Sequence, residues 1–558
     1  MRKFALVAAL VATAGAGLCA RQPVRSRHGM VATREAHATD IGLAVLESGG
    51  NAIDAAVAAG FALAVTHPAA GNIGGGGFLL ARFADGRTTF IDFRERAPEH
   101  ASHNMYVGPD GKASADSVVG YRASGIPGTV RGFEFAHQKY GRKHWSDLVD
   151  PAVRLASDGF PVSYDLARSL RNEYTSGRLG RFPESKRIFL KEGKFYEPGE
   201  RLVQPELART LERIRDRGAH DFYEGETAEL LAADMKAHGG LITQDDLKNY
   251  RVMERVPVTG SYHGYTIVTA PPPSSGGVGI LQMLGVLEGS GYEKSGFGSA
   301  AEVHFLAEAM RRYFADRSEY MGDPDFYHVP VAGLLNPRYI GELRRSIDPV
   351  HATPSATLHP GKLGAYESSD TTHYSIVDAE GNAVAVTYTL NNGFGSAVTA
   401  TGLGFLLNDE MDDFAAKPGE PNLFGLIQGE ANAIQPRKTP LSSMTPTIVL
   451  RDGKLYLVVG SPGGPTIINT VLEVLVNVID FGMNIADAVD APRLHHQWLP
   501  DVLRLEPGFS PDTVALLKAR GHAVEIEDHQ GEVAAIRIQD GWLEGDADPR
   551  TEGTARGY

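Results

Sequence analysis

Apolar residues recur at helical spacing over 36–48 and again over 52–65, with Gly49-Gly50-Asn51 between them, so residues 29–66 read as a pair of helices. Four glycines, Gly74 to Gly77, lead into the strand-like run 78–83. Asp85-Gly86 marks a turn and 88–93 a second strand, which makes a hairpin after the helices. From 130 to 345 the pattern is mostly helical, most clearly at 130–140, 147–157, 205–217 and 302–320. Within it the proline-rich turn 270–277 enters a helix at 278–288.

The texture changes at 346–370, where His, Pro, Ser, Thr and Gly follow one another without periodicity. This stretch reads as an extended, flexible segment ending at Asp370 and open to processing. Beyond it strands dominate. Runs 373–377 and 383–390 flank an Asp-Ala-Glu-Gly-Asn turn, 447–450 and 455–459 flank Asp452-Gly453, and 524–527 and 534–539 come last. A long apolar helix at 466–481 is followed by a short run at 486–489. Helices around antiparallel hairpins predict an α+β fold with helix, sheet, sheet and helix layers.

The 558 residues are 42% hydrophobic and 22% charged, ordinary for a globular protein and enough for one large layered domain. A net charge of -14 argues against nucleic-acid binding, yet a locally basic site for an anionic small substrate fits within it. Residues 1–20 read as a secretory signal: Arg2 and Lys3, an apolar core at 4–11, then small residues to Ala20. Removing them leaves a net charge of -16 and takes away Cys19, the only cysteine. A mature chain without thiols has no disulfide, no thiol nucleophile and no cysteine metal site. The expectation is a periplasmic or secreted protein with no membrane span after maturation. The histidines lack zinc spacing and Gly74–Gly77 lacks the lysine of a phosphate loop, so neither a metal nor another cofactor is expected.

Candidate chemistry centres on Asp370-Thr371-Thr372-His373. A mid-chain threonine is a weak nucleophile with its nitrogen locked in a peptide bond. If the bond before Thr371 is cut, one residue supplies both nucleophile and general base. A plain polar strand start is the alternative. Thr387, Thr389 and Asn391 share one face of the next strand, where they could hold the new amine, although alternation alone favours a solvated face. The acidic loop 408–414, with Glu410 and Asp413, suits an α-ammonium group, against solvated loop charge as the common outcome. Arg94 at a strand end could clamp a carboxylate, or merely pair with Glu95 at the surface. Ser442 and Ser443 offer paired hydroxyls, or form an ordinary polar loop. Gly463 and Gly464, between a strand and a helix, could donate backbone N–H groups to an oxyanion, or form a structural turn.

In their order along the chain, several pieces together resemble the γ-glutamyltransferase (glutathione hydrolase) family. They are Ile73–Phe78, Asp92–Glu95, Ala123–Val130, Ala315–Tyr320, Asp370–His373, Asp412–Phe414, Pro440–Met444 and Gly460–Gly464, and the resemblance runs from about Gly29 to the end. It implies an αββα N-terminal-nucleophile hydrolase that cleaves itself between Asp370 and Thr371. The products would be a large subunit, 21–370, and a small one, 371–558, which together form a heterodimer and one domain. It further implies Thr371 as the acyl-enzyme nucleophile and Thr389 as the hydroxyl supporting its amine. Arg94, with Ser442 and Ser443, would clamp the α-carboxylate. Asp413, with Asn391 and Glu410 beside it, would take the α-ammonium, and Gly463 and Gly464 would form the oxyanion hole. The substrates would be glutathione and other γ-glutamyl compounds, with water, amino acids or peptides as acceptors. Phe424 stands where some bacterial members carry a lid tyrosine, which predicts a less firmly latched lid. Two other readings stay open. One is an acylase of the same fold acting on glutaryl-β-lactams, or a γ-polyglutamate-processing enzyme. The other is a binding protein that lost maturation.

Overall fold

The structure is a computed structural model that describes residues 21–358, 371–417 and 428–558. The signal segment, Asp370 and Phe424 lie outside these residues. Two seven-stranded antiparallel sheets face each other. The first runs in the order Thr554–Gly557, Met30–Thr33, Thr371–Val377, Ala383–Thr389, Gly76–Arg82, Thr88–Asp92, Met253–Arg255. The second runs Val24–Ser26, Trp542–Ala547, Ala534–Gln539, Lys454–Gly460, Thr447–Arg451, Tyr265–Thr269, Val258–Tyr262.

The period-2 alternation of each strand divides its side chains between two cores. In Gly76–Arg82, Phe78 and Leu80 join Ile448 and Val458 in the core between the sheets, while Leu79 and Ala81 face the outer helices. Strand Ala383–Thr389 splits the same way, with Ala383 and Ala385 inward and Val384 and Val386 outward. Both faces are therefore dry, which is why these strands are near-continuous apolar runs. Helices Ala36–Glu47 and Ala52–Thr66 cover the first sheet. The second of these opens with a reciprocal cap between Asn51 and Asp54, and every one of its residues is buried. Its small side chains let the sheet approach closely enough for the Tyr374 and Tyr388 hydroxyls to donate to Ala56 O and Gly60 O, each at 2.9 Å. Helices Gly276–Leu287 and Thr466–Ile479 cover the second sheet. The four-layer αββα sandwich expected from sequence is the fold.

Three expectations need correction. Residues 29–66 are not all helical, because Met30–Thr33 is a buried strand beside Thr371–Val377. The mostly helical stretch contains the hairpin Val258–Tyr262 and Tyr265–Thr269, turned at His263-Gly264 with φ of 46° and 82°. Two left-handed residues in a two-residue loop match the twist of a hairpin, so the β-branched runs around His-Gly were the missed signal. Residues 346–358 are pinned rather than loose: Thr353 N donates to Glu308 at 3.0 Å, and Ser355 N to Asp501 at 2.7 Å. Lack of periodicity marked the absence of a regular element there, and side-chain partners from afar supplied the order.

Candidate active site

Thr371 is the first residue of a central strand and lies opposite Thr389, its Oγ 3.4 Å from the Thr389 hydroxyl. Thr389 also accepts from Asn391 N at 2.8 Å, and Asn391 donates from Nδ2 to Asp409 O at 3.0 Å. Asn391 holds a left-handed φ of 77°, which turns the chain out of the strand and over Thr371. The face carrying Thr387, Thr389 and Asn391 is buried, not solvated. Thr387 itself is occupied by His373 Nδ1 at 2.9 Å. Burial pushes the His373 ring down to about 3, so it stays neutral.

Arg94 is buried at the end of strand Thr88–Asp92, not paired at the surface with Glu95. Its Nε donates to Pro440 O at 2.9 Å and one terminal nitrogen to Leu441 O at 3.0 Å. The two terminal nitrogens also reach Glu410, at 2.5 Å, and Asp413. Burial works against the guanidinium charge, and Glu410, Asp413 and Glu95 outweigh it. Burial likewise pushes Glu95 up to about 8 and Glu410 well above its ordinary range, against the pull of Arg94. Glu410 and Asp413 both pair with the buried Arg94 guanidinium. The acidic loop is a buried turn, Glu410–Asp413, held where Asn408 bonds to Gly74 O, Gly125 O and Glu410 N.

Ser442 and Ser443 reach the same place. Ser442 N donates to Pro273 O at 3.0 Å, and its hydroxyl accepts from Met444 N at 3.1 Å. Ser443 accepts from Arg317 at 3.3 Å. Gly463 and Gly464 follow strand Lys454–Gly460, with φ of 128° and 59°, and helix Thr466–Ile479 begins two residues on. A Cβ on Gly463 would sit 2.3 Å from Thr466 Oγ, so glycine is required there by both backbone and space. Together Thr371, Thr389, Asn391, Arg94, Glu410, Asp413, Ser442, Ser443 and Gly464 line one narrow slot. Gly463 and Thr371 also border a larger cavity on the other side.

Sequence reasoning missed the supports. Asn72 donates to Thr389 O at 2.8 Å and accepts from Gly75 N at 3.0 Å and from Thr129 Oγ at 2.7 Å. It fixes the strand end that faces Thr371, and a Cβ on Gly75 would lie 2.0 Å from that same carbonyl. Asp409 receives Asn392 N at 2.9 Å and its Nδ2 at 2.5 Å, and burial pushes it up to about 7. Arg317 braces Ser443 from helix Ala300–Tyr320. Each sits in or beside a quoted motif, but its partner is far off in sequence. Away from the slot, His304, Glu308 and His522 bring potential metal ligands within 4.8 Å. They are engaged with protein groups, His304 with His522 at 2.8 Å and Glu308 with Arg312.

Two facing antiparallel sheets between helix layers, with a threonine opening a central strand beside a glycine pair, define an N-terminal-nucleophile hydrolase. The γ-glutamyltranspeptidase family model matches residues 38–558, and the chain belongs to that family. It is 52% identical over 531 residues to the glutathione hydrolase proenzyme of Escherichia coli (strain K12), covering 95% of this chain and 91% of that one. Among solved structures, a cephalosporin acylase from Bacillus halodurans superposes with a TM-score of 0.85 at 27% identity, over 96% of this chain and 97% of that one. A γ-glutamyltranspeptidase from Helicobacter pylori matches at 47% identity with a TM-score of 0.57, over 59% of this chain and 94% of that one.

Proposed function

We propose that this chain is a self-processing γ-glutamyltransferase and glutathione hydrolase in which Thr371 is the nucleophile. The observation that carries the reading is the shared slot. One threonine lines it with a buried guanidinium, buried carboxylates and Gly464, and Gly463 adjoins it; these are the groups needed for the two ends of an amino acid and for an oxyanion. Thr371 Oγ first attacks the carbonyl of Asp370, the Asp370–Thr371 C–N bond breaks to leave an ester on Oγ and a free Thr371 amine, and water then hydrolyses the ester, giving the Asp370 carboxylate and the free Thr371 hydroxyl. In the mature enzyme that amine takes the Oγ proton as the oxygen attacks the γ-amide carbonyl. Gly463 and Gly464 N–H groups, at a helix N-terminus, receive the developing oxyanion. The amine product leaves, and water or an acceptor amine then releases the γ-glutamyl group from the ester.

Substrate binding divides a preformed ion cluster. In the free site Arg94 is paired with both Asp413 and Glu410. The α-carboxylate takes Arg94, helped by Ser442 and Ser443, and the α-ammonium takes Asp413, with Asn391 and Glu410 beside it. Each end of the amino acid thus meets an opposite charge already buried in the slot, which offsets its desolvation cost. A plain glutaryl group carries the carboxylate but no ammonium and would leave Asp413 unmatched, which favours this reading over the glutaryl acylase.

The two products stay together because they share both sheets. Strand Thr371–Val377 is bonded to Met30–Thr33, Ala383–Thr389 to Gly76–Arg82, and Thr447–Arg451 to Tyr265–Thr269. Among the described residues no helix is long and apolar enough to cross a membrane. With the signal-like segment, this supports a periplasmic or secreted enzyme. The test is Thr371→Ala, read on a denaturing gel and with a γ-glutamyl anilide. The natural chain should give two bands and turnover, and the variant one uncut band and none. Turnover by the variant would end the proposal.

A further inference from the structure

The two ends of the clamp stand on separate loops. Asp413 belongs to the turn Glu410–Asp413, whereas Ser442 and Ser443 belong to the loop after Pro440. Arg94 bridges them in the free site, paired with Glu410 and Asp413 on one loop and bonded to Pro440 O and Leu441 O on the other. In the proposed complex the amino acid divides that cluster, so another link has to keep the loops in register. Asn432 supplies one. It is 1% exposed and its side chain spans the loops: Nδ2 donates to Asp413 O at 2.6 Å, and Oδ1 accepts from Leu441 N at 3.0 Å. Both partners are main-chain atoms, which the clamp does not offer to the amino acid. Gln428 grips the same carbonyl, Nε2 to Asp413 O at 3.2 Å, and its Oε1 accepts from Asn432.

Asn432 is itself held from three sides. It ends the single turn Glu430–Asn432, and its main-chain O accepts from Ala415 N at 3.0 Å. The buried Lys438 ammonium donates to the carbonyls before and after it, Ala431 O at 2.8 Å and Ala433 O at 2.9 Å. Lys438 O in turn accepts at 2.9 Å from Ala97 N, a short way past Arg94 on the chain.

We infer that Asn432, braced by Lys438, is a positioning residue that sets the spacing between the ammonium and carboxylate ends of the slot, and so selects α-amino acyl groups over acyl groups that lack the ammonium. The inference rests on the γ-glutamyl reading. The carboxylate and ammonium of an α-amino acid sit on one carbon, so their separation is fixed. A site that meets both must hold its own groups to within about 0.5 Å. A slip of about 1 Å between the loops can cost on the order of 100-fold in a positioned reaction. A substrate with the carboxylate alone uses only the Arg94 end and is indifferent to that spacing.

The test compares γ-glutamyl anilide with glutaryl anilide in the processed natural chain and in Asn432→Ala, Asn432→Asp and Lys438→Met. In Asn432→Ala, KM for the γ-glutamyl substrate should rise about tenfold, the worth of a lost pair of hydrogen bonds, while kcat/KM for the glutaryl substrate changes by less than about threefold. Asn432→Asp keeps the acceptor for Leu441 N but sets a carboxylate against Asp413 O, and should lower the γ-glutamyl to glutaryl ratio in the same way. Lys438→Met, which releases the turn, should lower it less. Equal losses on both substrates, or no loss on either, overturn the assignment, because a residue that only supports the fold does not tell the two apart. If none of the variants self-cleaves, the pair serves folding and the inference falls. A natural chain that fails to cleave γ-glutamyl anilide refutes the γ-glutamyl reading instead, so the two failures are distinct.

Discussion

Asp413→Asn tests the ammonium end of the clamp without changing shape. The carboxylate is buried beside Arg94 and, in the proposed complex, faces the substrate ammonium. Asparagine keeps the size and one acceptor oxygen but loses the charge. A hydrogen bond to a charged group is worth about 1.5–3 kcal/mol, and 1.4 kcal/mol is a factor of ten, so the loss is about 10- to 150-fold. The carboxylate end should survive, because Arg94 keeps Pro440 O, Leu441 O and Glu410. The two substrates to compare are therefore γ-glutamyl anilide and glutaryl anilide, which differ only by the ammonium. The measurement is kcat/KM for both, in the natural chain and in the variant, after a gel confirms self-cleavage. The ratio of γ-glutamyl to glutaryl turnover should fall by about 10- to 150-fold, mostly through KM. If both substrates lose equally and the ratio holds, Asp413 does not read the ammonium. A glutaryl preference in the natural chain would point instead to the acylase.

Gly463→Ala should lower kcat at least tenfold on the γ-glutamyl anilide, because a φ of 128° and a 2.3 Å approach to Thr466 Oγ force the turn to move; a normal kcat would separate this turn from catalysis. Asn72→Ala, which removes the bond to Thr389 O, should slow self-cleavage several-fold on a time-course gel, and an unaltered rate would show that the strand end holds without it. Acid should destabilise the fold through His373. Its folded value of about 3 lies below the ordinary 6.5, so its contribution is full above pH 6.5 and is lost as pH falls toward 3. The slope is about 1.4 kcal/mol per pH unit, and denaturant melts between pH 7 and 5 should show a shallower decline in His373→Gln than in the natural chain.

The sequence by itself determined the layers and marked out the candidate site residues. The α+β class followed from helical spacing before and around β-branched hairpins, because period is a local property that burial on either side does not erase. Thr371, Arg94, Asp413, Ser442, Ser443 and the Gly463-Gly464 pair could be singled out as candidates because their motifs occur in order along the chain, and the fold gathers them around Thr371. Tertiary structure alone decided whether these groups are exposed. The face of Thr387, Thr389 and Asn391 reads as solvated and the loop Glu410–Asp413 as surface charge, yet both are buried, because a second sheet and distant loops close over them. Arg94 and Asp413 are 319 residues apart, and Asn72 and Thr389 are 317 apart. Nothing in local spacing records such pairings.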